Sequence, residues 1–183
     1  MNLNSFFVSS FPCFGHRQLF SLVTSCSVAI ALTSCSSVTI DQYQATAETT
    51  VTWQVRYTPD EASYRNPRFE EFASNSLVNY NGEKPEGAVV GPDDEGLWWP
   101  TIPPKPSIDE VEQRQKIQEY RHKPELLRTV QYQLTYQQDG QTVTLPTNYQ
   151  VYRQVARAYP YGKTLQLTLG INNASVEKAE AVD

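Results

Sequence analysis

No cysteine follows Cys35; the three in the chain are Cys13, Cys26 and Cys35. The long remainder therefore cannot close an internal disulfide, and a domain built from it must rely on its packed core. Histidine is almost as scarce, with 2 in the chain and His122 alone after Cys35. One imidazole without a neighbouring motif builds neither a zinc set nor a Ser-His-Asp triad. There is no phosphate-binding Gly-rich loop, no nucleophile elbow and no Cys/His cluster, so no cofactor, no metal and no catalytic residue is assigned. Long apolar runs are missing too. A spanning helix needs about 20 predominantly apolar residues, and the richest stretch, 19–32, is shorter and mixed with Ser and Thr. Finally, there is no basic excess: the formal charge is -5. All acids and every base but Arg17 lie after Cys35, which leaves that part at -6. An acidic domain argues against nucleic acid as a partner.

What is present begins with an acid-free leader. Residues 1–18 carry His16 and Arg17, an apolar segment follows, and small residues then precede Cys35. This is the order of an export signal: positive region, short hydrophobic region, cleavage site. Leu32-Thr33-Ser34-Cys35 resembles the bacterial lipobox, with Leu three residues before the cysteine and two small residues between. The resemblance implies cleavage before Cys35, diacylation of Cys35, and attachment of the mature chain to a membrane of the cell envelope. In a two-membrane organism that means the outer membrane or the periplasmic face. Val23-Thr24-Ser25-Cys26 is a rival box with too short a hydrophobic region before it. The expected organisation is a signal peptide over 1–34, a flexible tether over 35–48, one domain over 49–171 and a polar tail over 172–183.

Within the domain, Val51, Trp53, Val55 and Tyr57 alternate onto one face, as a half-buried strand requires. Val130, Tyr132, Leu134 and Tyr136 do the same, and Asp139-Gly140 is a hairpin turn signal. Leu77–Tyr80 reads as a short strand ending at Asn81-Gly82, and 163–171 as the last strand. Ser107-Ile108-Asp109-Glu110 is a capping box. Glu110–Arg114 and Glu112–Lys116 are favourable pairs four apart, so a polar helix is expected over 107–121, with His122 as a base at its C-terminus. A second helix is expected over 148–158. The fold class is α+β: a small antiparallel sheet with one or two helices and a proline-rich strap.

That strap is the most unusual segment. Leu97-Trp98-Trp99-Pro100-Thr101-Ile102-Pro103-Pro104-Lys105-Pro106 holds four prolines in seven residues. It must run extended. It reads either as a rigid brace whose tryptophans cap the domain's own core, or as a contact surface for a partner through Trp98, Trp99, Pro100, Pro103 and Pro104. Arg65, Arg68, Glu70 and Glu71 read as a solvated charge cluster. Asp93-Asp94-Glu95 reads as an acidic loop tip without calcium-loop spacing.

The segment 130–176 resembles a bacterial domain family of unknown function in its Tyr-rich hairpin and its Tyr159-Pro160-Tyr161-Gly162-Lys163 entry to a strand. This implies a β-rich body. The composition is similar to that of small cyanobacterial envelope proteins. The functional expectation is a lipid-anchored envelope protein with a non-catalytic binding, assembly or structural role, its partner an envelope protein or glycan. The alternative is an envelope hydrolase or a carbohydrate- or peptide-binding module using Trp98 and Trp99.

Overall fold

The computed structural model describes residues 36–63 and 65–182. The leader and Cys35 lie outside them. The strands are β1 (Ser37–Ile40), β2 (Tyr43–Thr58), β3 (Arg68–Tyr80), β4 (Tyr120–Arg121), β5 (Glu125–Gln138), β6 (Gln141–Thr147), β7 (Leu165–Leu169) and β8 (Val176–Ala181). The helices are α1 (Ile108–Gln113) and α2 (Tyr149–Ala158). The fold is thus mostly β with one main helix, consistent with α+β. The strand order is β1-β7-β8-β6-β5-β2-β3, with β4 added to one end of β2. Neighbours are antiparallel except at β6–β8, a parallel junction of one pair, Thr147 with Val176. The sheet is therefore mixed, and larger than the small antiparallel one expected.

The long strands obey the alternation read from the sequence. In β2, Ala45, Ala47, Thr49, Val51, Val55 and Tyr57 are buried on one face. In β5, Leu134 and Tyr136 are buried and Val130 and Tyr132 pack beside them. The other face is polar and knitted by hydroxyl pairs, such as Thr50 with Ser76 (2.8 Å) and Thr135 with Thr144 (2.9 Å). Period-two side-chain direction on one solvated sheet face accounts for both patterns.

Strands β1 and β2 stand far apart in the sheet order, yet only Asp41 and Gln42 separate them in sequence. The sheet must therefore curl. The Gln137 N–H donates to the Gln42 carbonyl (3.1 Å), and the Tyr43 hydroxyl donates to the Lys163 carbonyl (2.6 Å). Helix α2 fills the curl. Its Val151, Tyr152, Val155 and Ala158 pack with Ile40, Ala45, Ala47, Leu134, Leu165, Leu167 and Val176. Asn148 caps this helix by accepting from the Val151 N–H (3.0 Å). A side-chain oxygen at that position satisfies a donor the helix leaves open.

Three expectations are corrected. The stretch read as a tether is β1 and the start of β2. It looked like a linker because Ala45 and Ala47 lack bulk, but small side chains let α2 approach, and both are fully buried. The polar tail over 172–183 contains β8, with Val176 and Ala179 buried. The helix over 107–121 stops at Gln113. Its capping box is present, with Ser107 N–H donating to Glu110 Oε2 at 2.7 Å, but Val111 is its one buried residue. Pairs four apart contribute only about 0.2–0.5 kcal/mol each. Tertiary contacts take the following residues instead: Arg114 stacks on Phe72 at 4.0 Å, Gln118 turns through φ +66°, and Tyr120–Arg121 pairs with Tyr57–Thr58.

Candidate functional site

The strap crosses the inner face of β2 and β3, between the region covered by α2 and the region covered by α1. It starts from a knot at Asp93. One carboxylate oxygen accepts from the backbone N–H groups of Glu95 (3.0 Å) and Leu97 (2.9 Å); the other accepts from Trp99 Nε1 (2.7 Å). Trp99 pairs with Val90 as an isolated antiparallel bridge. Gly91 is required here: its φ is +133°, and a Cβ would stand 2.7 Å from the Leu97 carbonyl oxygen. Leu97 enters the α2 cluster and is fully buried.

Asn79, fully buried on β3, fixes the next step. Its Oδ1 accepts from the Trp98 N–H (2.8 Å), and its Nδ2 donates to the Trp98 carbonyl (3.0 Å). The side-chain amide thus stands in for a strand backbone. Thr49 Oγ1 also donates to the Trp98 carbonyl (2.8 Å). Further on, Asn75 Nδ2 donates to the Thr101 carbonyl and Trp53 Nε1 to the Pro103 carbonyl, both at 2.8 Å. Prolines have no N–H to offer, so the strap is held through its carbonyls and through side chains aimed at them. Arg128 lies over the Trp99 ring at 5.1 Å and Lys84 over Trp98 at 5.2 Å.

Of the five residues expected at a contact surface, Trp99, Pro100 and Pro103 are buried, with Trp99 7% exposed. Burial beneath the domain's own sheet removes them from reach of a partner. Trp98 is half-buried and Pro104 exposed. The strap is thus a brace over most of its length.

At its far end the strap leads into a groove of about 460 Å³. One wall is 105–111, the end of the strap and the start of α1; the other is 120–124. Lys105, Arg121 and Lys123 line it with His122, and no acid does. Pro106, Ile108, Val111 and Pro124 supply apolar surface; Ile108 is 67% exposed. Arg121 reaches Glu112 at 2.8 Å. His122 is oriented, not a loose helix-terminal base. The Thr58 hydroxyl donates to the Asp60 carbonyl (2.6 Å), so its oxygen accepts from His122 Nε2–H (2.8 Å). His122 Nδ1 then accepts from Arg56 Nη2 (3.2 Å). Nothing in the sequence marked this groove, because its walls are separated by a loop without periodicity.

Beneath α1 lies a charge network. Arg68 sits over the Tyr57 ring at 4.4 Å and pairs with Glu70. Its Nε and Nη2 also donate to the two oxygens of Glu119 at 3.0 and 2.6 Å. The guanidinium hydrogen bonds hold the Glu119 carboxyl down at about 2. Burial pushes the Tyr57 phenol up, and its hydroxyl donates to the Val111 carbonyl (2.8 Å). The cluster read as solvated is therefore partly covered and ordered around Arg68. Glu71 contributes its carbonyl to Arg114, with 2.5 Å between them.

A second groove of about 460 Å³ runs between the acidic loop at 93–96, the turn at 81–83, and Arg153 and Arg157 of α2. Among the described residues, no group of three or more His, Cys, Asp and Glu could hold a metal ion, and no helix is long and apolar enough to cross a membrane. No protein-family model, curated protein or solved structure matches the chain.

Proposed function

We propose that the chain is a lipid-anchored protein of the cell envelope, attached through Cys35, with a non-catalytic role: it binds an acidic, partly apolar segment of a partner protein in the groove beside α1. The observation that carries the binding reading is the groove's lining: Lys105 and Lys123 stand exposed, Arg121 is held by Glu112, and no acid is among the lining residues, on an acidic chain. Such complementarity steers a partner and sets its register. A protein segment fits better than a glycan, because the polar groups a sugar would need are engaged within the fold. The Ser107 hydroxyl and Glu110 cap α1, the Tyr120 hydroxyl donates to Glu61 (2.9 Å), and both His122 nitrogens have partners. What stays exposed is Ile108, with Lys105 and Lys123 on opposite walls. The carboxylates of Asp93, Glu70 and Glu119 are occupied by Trp99 and Arg68, which supports binding over hydrolysis.

The test is titration of the detergent-solubilised full chain with a fluorescent peptide alternating Glu and Leu, its Gln counterpart, and a polygalacturonate oligosaccharide. The acidic peptide is expected to bind and to weaken with salt. Lys105→Glu with Lys123→Glu should reduce affinity about tenfold, equivalent to ~1.4 kcal/mol. Binding of the oligosaccharide with none of the acidic peptide would overturn the reading.

A further inference from the structure

The structure places no spacer between the domain and the point where the anchor would attach. Ser36 is already part of the fold: its carbonyl accepts the Leu169 N–H (2.9 Å), and its hydroxyl bonds Asn173. Strand β1 starts at the next residue. Across one trans peptide, consecutive Cα atoms are about 3.8 Å apart. A lipid on Cys35 therefore brings the Ser36 corner of the domain to the headgroup layer, with no room for the domain to tumble on a leash.

That corner presents the turn after β7, Ile171–Asn173. The turn is tight: the Asn173 N–H donates to the Gly170 carbonyl (3.0 Å), and the Gly170 N–H to the Ser175 carbonyl (2.9 Å). At its start Ile171 is 75% exposed. In water this aliphatic side chain is unfavourable, whereas at the boundary of headgroups and acyl chains it is sheltered. The charged groups of the adjoining strand β8 have partners at the surface: Glu177 accepts from the Ser175 hydroxyl (2.6 Å), and Lys178 pairs with Glu180 (2.8 Å). The turn itself is uncharged, with Ile171 as its apolar residue beside the exposed Asn172 and Asn173, so seating it needs no anionic lipid.

We infer that the Ile171–Asn173 turn is the membrane-apposed surface of the domain, with Ile171 seated in the bilayer interface beside the anchor. The inference rests on acylation at Cys35. It makes a directional claim, because the turn Tyr159–Tyr161, with Tyr161 78% exposed, lies at the other end of the five-residue strand β7. A strand of that length spans about 16 Å. If the domain lay the other way up, Tyr161 would be the residue in contact.

The experiment uses the full acylated chain, expressed in bacteria and reconstituted into phosphatidylcholine vesicles containing nitroxide-labelled phosphatidylcholine. An environment-sensitive fluorophore is attached to Ile171→Cys or, separately, to Tyr161→Cys. Both positions are exposed, so neither variant strains the core, and circular dichroism verifies the fold. The expected result is blue-shifted emission and nitroxide quenching at position 171, with neither at 161, unchanged in high salt. Quenching at 161 and not at 171 overturns the inference. So does an unquenched fluorophore at 171 on protein that floats with vesicles and carries fatty acid, in which case the anchor stands and the orientation fails. Protein that carries no fatty acid and does not float removes the anchor, and the orientation with it.

Discussion

At the scale of single residues, the strap separates two tryptophans that the sequence presents as a pair. Trp99 has its ring buried and its indole N–H held by Asp93, while Trp98 is anchored mainly by its backbone. Trp99→Ala should therefore destabilise the domain by about 3–5 kcal/mol, as expected for emptying an aromatic site. Trp98→Ala should cost clearly less. Chemical denaturation of both variants checks this, and equal losses would mean that Trp98 is also a core residue. Glu119 offers a pH test. Its carboxyl is held at about 2 in the fold, mainly by Arg68, against an ordinary value near 4.3. A depressed carboxylate contributes stability above its unfolded value and loses it as the pH falls through the folded one. The melting temperature should fall between roughly pH 4.5 and 2, and the fall should be shallower in Glu119→Gln.

At the scale of elements, the sequence was most readable where side chains alternate large and polar. Strands β2 and β5 announce their inner faces through Val51, Val55, Tyr57, Leu134 and Tyr136, and all five are buried. It was least readable where small residues do the packing. Ala45 and Ala47 carry no bulk to signal a core, and their burial depends on α2, which lies about a hundred residues later. The converse happened in α1, where local capping signals were strong and the continuation failed for lack of an apolar stripe. There the Arg68 network and the pairing of β4 with β2 outweighed charge pairs worth tenths of a kcal/mol. Of the candidate site, the strap was legible through its prolines; the groove was not, because His122 and Lys123 meet Lys105 only after the chain has turned. The β1 assignment is directly testable. Deleting 36–42 removes Ile40 from the core and exposes the edge of β7. The melting temperature should drop sharply or cooperative unfolding should vanish, whereas a tether could be deleted without effect.

At the scale of the whole molecule, one curled sheet carries two covers in series, α2 inside the curl and the strap leading to α1. The covers create grooves, and the one beside α1 has cations and exposed apolar surface on an otherwise acidic chain. Because Ser36 is already hydrogen-bonded to Leu169, a lipid at Cys35 would hold this corner of the domain at the bilayer, with the orientation set by the Ile171 turn. The placement at the membrane depends on the fate of Cys35. The most direct measurement is metabolic labelling with a radioactive fatty acid in a bacterial host, comparing the full-length chain with Cys35→Ser. The account predicts label on the wild-type protein and none on the variant. Absence of label from the wild type, or equal label on both, would contradict it.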